Sequence, residues 1–150
     1  MTDLARKFRS GSGRKTTWQK STVYSVYELA VKPGDVIIVE RVSSSKTRAQ
    51  ALHLALDKGN LRANGVLMKT AAVWSHTAPE VAELEVVGKR ARLVDIWNGW
   101  SFEGVESAWL GNGALMVEDN NDVVRFRCSD GIGEPSFDDL VVDVRIEHRG

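Results

Sequence analysis

The segment LVVDVRIE, residues 140–147, sets Leu140, Val142, Val144 and Ile146 on one side and Val141, Asp143, Arg145 and Glu147 on the other. A period of two marks a strand with one buried face, because successive side chains leave a pleated backbone in opposite directions. From Thr22 onward this period dominates the chain, broken by turn residues. The run Val36-Ile37-Ile38-Val39 is apolar on both sides and needs cover on each face. Residues 66–74, VLMKTAAVW, read as a further strand. The pattern predicts a mainly β fold, an antiparallel β-sandwich or barrel of eight or nine short strands, with residues 18–150 as a single domain.

Turn residues suggest the register. YELAV and VIIVERV read as a hairpin closed by Pro33-Gly34, which suits a type II turn. Gly88-Lys89, Asn98-Gly99 and Asn120-Asn121 each suit a hairpin. Pairing around them sets Leu84 against Leu93, Trp97 against Trp100, and Val117 against Val124. Trp97 and Trp100 then share a face with Asp95 and Phe102. LGNGA at 110–114 reads as a short loop with Gly113 in the left-handed region. One α-helix is predicted at about 46–58. Ser43 to Ser45 offer its N-cap, Gly59 its stop, and Ala49, Leu52, Ala55 and Leu56 its apolar stripe.

Composition excludes several classes. No apolar run is long enough to span a bilayer as a helix, and no apolar stretch follows the basic N-terminus. No membrane partner and an intracellular setting are therefore expected. A single cysteine, Cys128, excludes an intramolecular disulfide and a thiolate-rich metal site. His53, His76 and His148 show no metal spacing, and the acid-rich loops lack the alternating ligands of a Ca²⁺ loop. No cofactor or metal is expected. SGSGRKT lacks the glycine before Lys15 that a phosphate loop needs.

The net charge is zero but unevenly spread. Six basic residues against one acid leave residues 1–20 at +5, and nine acids against four arginines leave residues 117–150 at −5. Residues 1–17 mix charge with Gly and Ser and read as a flexible basic arm. Arg6, Lys7, Arg9, Arg14, Lys15 and Lys20 are the candidate nucleic-acid contacts, with Phe8 and Trp18 as stacking partners. The leading functional expectation is a non-enzymatic β-rich binding and assembly protein that packs against copies of itself and reaches nucleic acid with this arm.

DIWNGWSFEGVESAW, residues 95–109, carries a second expectation: a small-ligand or carbohydrate site at Asp95, Trp97 and Trp100. An enzyme with a carboxylate or histidine site is a third. Glu103 falls on the face opposite Trp97 and Trp100, so no carboxylate pair converges there as a glycosidase requires, and no catalytic residue is assigned.

Overall fold

A computed structural model describes residues 2–149. The larger of its two antiparallel sheets runs in the order β1 (Lys15–Trp18), β2 (Ser21–Tyr24), β12 (Ala114–Asp119), β13 (Val124–Ser129), β14 (Leu140–Glu147), β4 (Val36–Ser44), β9 (Val81–Val87), β6 (Asn60–Ala63) and β7 (Val66–Met68). The smaller runs β11 (Val105–Ser107), β10 (Leu93–Phe102), β5 (Gln50–Leu56) and β8 (Thr70–Trp74), with β3 (Tyr27–Ala30) also paired to β10. A short helix, α1 (Leu4–Arg9), precedes them. No described helix is long and apolar enough to cross a membrane.

The sheets face each other across one core. Ile37, Val39, Leu84, Phe126 and Val142 come from the larger sheet, and Leu52, Leu54, Val94 and Ile96 from the smaller. Burying these side chains is the main stabilising term, at about 1.5–3 kcal/mol for each large aliphatic or Phe. A buried polar clamp also joins the sheets. The fully buried Asp130 carboxylate accepts from Gln50 Nε2 at 2.9 Å and from Arg48 Nε at 2.8 Å, while Asn98 Nδ2 donates to the Ser129 carbonyl at 2.9 Å.

Several expectations hold. β14 spans Leu140–Glu147 with Leu140, Val142 and Val144 buried, but Val141, expected outward, is buried too beside a register shift, and Ile146 is only partly buried. Asp35 N donates to the Lys32 carbonyl and Gly34 has φ +88°, as a turn at Pro33-Gly34 requires. That turn carries the chain from one sheet to the other and closes no hairpin, since β3 pairs with β10 and β4 with β14 and β9. The hairpin expected at Asn120-Asn121 forms one residue later, around Asn121-Asp122, with Val117 opposite Phe126, not Val124. This shift of two residues keeps every side chain on its expected face.

Further expectations are corrected. The described residues form fourteen strands in two sheets, not eight or nine. The helix at 46–58 is the strand β5: Leu52, Leu54 and Leu56 alternate, and β5 lies between β10 and β8, so period two wins over the Ala/Leu helical stripe. Gly88-Lys89 is a crossover between sheets, because β9 pairs with β4 and β6 while β10 pairs with β5 and β3. Asn98-Gly99 lies inside the unbroken strand β10, whose hairpin comes later, with Phe102 opposite Val105. Gly99 is required there by a close approach: a Cβ would stand 2.5 Å from His53 Nε2. In the loop at 110–114 the left-handed residues are Trp109 and Gly111, not Gly113.

The segment expected as a flexible arm is anchored at two points by its short helix, while residues 9–15 stay exposed. Leu4 and Phe8, one turn apart, bury against Val23, Ala114 and Phe137 on the outer face of the larger sheet. Asp3 caps α1 by accepting from Arg6 N at 3.1 Å. Leu4 N donates to Asn112 Oδ1 at 2.9 Å, and Ala5 N to the Gly111 carbonyl at 2.9 Å. The burial of two large side chains supplies the free energy that the charged composition hides.

Candidate functional site

Alternation along β10 sorts the site residues onto two faces. Val94, Ile96, Asn98 and Trp100 are buried on the inner face, whereas Leu93, Asp95 and Trp97 lie on the outer. Trp97 and Trp100 are therefore not a cross-strand pair. Trp97 stands opposite His53 and Trp100 opposite Gln50. Trp100 is 2 % exposed, its ring seated against Gly113 and Gly131. It is core, and it leaves the candidate ligand set.

The outer face carries a row of rings. Trp97 stacks on His53 at 5.4 Å and on Trp109 at 5.2 Å, with Trp74 edge-on to His53 at 6.1 Å. Burial holds the His53 pKa below its ordinary value, with Glu106 pulling the other way. Burial thus favours the neutral imidazole, whose flat ring packs on Trp97.

Trp109 ends the row on its open side. Its backbone is left-handed at φ +59°, an unfavourable conformation for a bulky residue. The indole N–H donates to the Ser25 carbonyl at 2.8 Å, yet 52 % of the residue is exposed. Backbone strain spent on presenting a large ring to solvent is typical of functional positions.

A cleft of about 470 Å³ opens beside Trp109 and is also lined by Arg9 and Arg14. A second cleft of about 300 Å³ shares Ser12, Arg14 and Val26 with the first and adds Lys15, Tyr24 and Tyr27. Another cleft, about 680 Å³ around Met68 and Ala71, is a weaker candidate for stacking a ligand because none of its lining residues is aromatic, and its Arg62 and Arg149 are matched by Glu85 and Glu83.

The six predicted cations, Arg6, Lys7, Arg9, Arg14, Lys15 and Lys20, are all exposed, although the segment bearing them is anchored by α1. Lys7 donates to the Thr17 carbonyl. Arg14 pairs with Glu28 at 2.9 Å, both side chains about half exposed. Such a surface pair is worth about 0–1 kcal/mol and exchanges partners readily. The expected stacking residues are corrected: Phe8 is buried, and Trp18 packs on Phe137 at 5.3 Å.

Asp95 is half-buried on the outer face, opposite Glu28 and Ala55. Desolvation, and then the like charges of Glu28 and Asp57, raise its pKa above the usual carboxylate value, against the pull of Arg14. Glu103 occupies a turn at φ +53°, and Glu106 lies opposite Ser101 on β10. Burial pushes the fully enclosed Cys128 thiol far up, so it is a packing residue. Among the described residues no three His, Cys, Asp or Glu side chains gather as a metal would require.

Trp109 belongs to the tryptophan-rich stretch read as a ligand or base platform, but nothing in that stretch signals its exposure beside Arg9 and Arg14. In comparisons with known proteins, no family model, curated protein or solved structure matches this chain.

Proposed function

We propose that the chain is a non-enzymatic β-sandwich binding protein that holds nucleic acid between its basic N-terminal segment and Trp109. One observation carries the reading: Arg9 and Arg14 line the same cleft as a strained, half-exposed tryptophan. Guanidinium groups recognise phosphate through charge-assisted hydrogen bonds, and an indole offers a face to any base. The +5 balance of residues 1–20 supplies the surrounding field, with Arg6, Lys15 and Lys20 as further phosphate contacts.

The carbohydrate reading keeps Asp95 and Trp97 on one face but loses Trp100 to the core. Trp97 also has rings stacked on it from two sides, His53 and Trp109. It therefore ranks second.

The test is size-exclusion chromatography with light scattering and dual-wavelength absorbance, run with added oligonucleotide. Nucleic acid should co-elute at about 50 mM salt and dissociate steeply by about 200 mM. The variant Arg6→Gln/Arg9→Gln/Arg14→Gln/Lys15→Gln, which leaves Leu4 and Phe8 in place, should lose it. Retention by that variant, or salt-insensitive retention, overturns the reading. The scattering mass also reads the proposed self-association.

A further inference from the structure

We infer that the groove beside Trp109 accepts single-stranded rather than duplex nucleic acid, an inference that rests on the nucleic-acid reading above. The two clefts adjoin, sharing Ser12, Arg14 and Val26 in their linings. Trp109 lines the first, and Tyr24 and Tyr27, edge-to-face at 5.0 Å and partly buried against the core, line the second. Arg14 lines both clefts and Lys15 the second. Clefts that set rings beside cations suit a short run of backbone whose bases are splayed onto rings.

Each cleft suits such an occupant. Trp109 is backed by Trp97 on one side and tied by its indole N–H to Ser25, so its orientation is set before a ligand arrives. Tyr27 packs edge-on against the buried Phe126 at 5.8 Å, which anchors the second cleft to the core. Both clefts fall in the lower part of the range of small-ligand pockets, about 300–1,000 Å³. A base-sized group fits where a duplex does not. Duplex bases have both faces covered by their neighbours and would leave the rings unused.

Glu28 opposes this ligand, since it lines the second cleft and holds Arg14 at 2.9 Å. An incoming phosphate takes Arg14 from Glu28, so removing that carboxylate should help binding.

The experiment is fluorescence anisotropy with a labelled oligothymidylate and a labelled mixed-sequence duplex of equal length, using the full chain. The oligothymidylate should bind at least about 10-fold tighter than the duplex. Trp109→Ala should weaken it about 5- to 150-fold, the usual cost of losing one base–ring stack. Trp109→Phe should keep most of the affinity, and Glu28→Gln should raise it. Thermal melting of each variant separates lost binding from lost fold. Duplex binding as tight as single-strand binding, or indifference to Trp109→Ala in a folded variant, overturns the inference while nucleic-acid binding stands. Failure of the unmodified chain to bind either probe overturns the proposed function as well.

Discussion

Trp100 and Trp109 come from the same fifteen-residue stretch, and the fold puts them to opposite uses. Trp100 points inward from β10 and fills a slot that Gly113 and Gly131 leave open. Trp109 follows the hairpin after β10, adopts a left-handed backbone and lays its ring on Trp97 on the outer face. The inner tryptophan is explained by packing alone. The outer one keeps half its surface in water and accepts backbone strain to do so, which packing does not explain. An aromatic cluster in a sequence is therefore weak grounds for a site until the parity of each ring in its strand is known.

The contrast can be broken by substitution. Trp100→Ala should have the largest effect, costing about 3–5 kcal/mol in urea denaturation, as loss of a fully buried aromatic does. A cost below about 1 kcal/mol would mean the inner face is not packed as described. Leu4→Ala should follow, at about 2–5 kcal/mol, because Leu4 is fully buried under α1. A neutral result would return the N-terminal segment to a loose tail. Trp109→Gly should change stability by only about 1 kcal/mol. Loss of a stack worth about 0.5–1.5 kcal/mol is offset by relief of the left-handed strain. A cost as large as that of Trp100→Ala would erase the distinction between the two rings.

Asp95→Asn should have the smallest effect and a definite sign. The folded chain binds the Asp95 proton more tightly than the unfolded chain, so the ionised carboxylate opposes folding once it is charged. The variant should melt slightly higher at neutral pH. That advantage should fade as pH falls through the raised folded-state pKa, where Asp95 itself becomes protonated. A lower melting temperature at neutral pH would show that Asp95 makes a favourable contact as an anion.

Part of the larger sheet was legible because alternation marks the buried face of several of its strands. β14 and the β12–β13 hairpin follow from alternation, and a two-residue slip left their faces unchanged. The smaller sheet was harder to read. Ala and Leu at helical spacing in residues 49–56 masked the Leu52-Leu54-Leu56 alternation that the neighbouring strands select. Asn98-Gly99 looked like a turn because turns and close approaches demand the same residue; here the glycine makes room for His53. α1 was hidden because two buried residues within six give too little periodicity to see.

For the site, the cations, Asp95 and Trp97 were recognisable as types. Their assembly was not. Arg9 and Arg14 reach Trp109 only because α1 docks on the loop at 110–112, through Asn112 and Gly111. No local pattern encodes that contact.

The most direct test of the central claim is tryptophan fluorescence of the full chain titrated with oligothymidylate at low and at high salt. Trp109, exposed and next to the cations, should be quenched as a base stacks on it. The quench should be lost at high salt and strongly reduced in Trp109→Phe, while buried Trp100 stays unaffected. Unchanged emission across the titration, or a quench that persists in Trp109→Phe, would contradict the division between an inner tryptophan that packs and an outer one that binds.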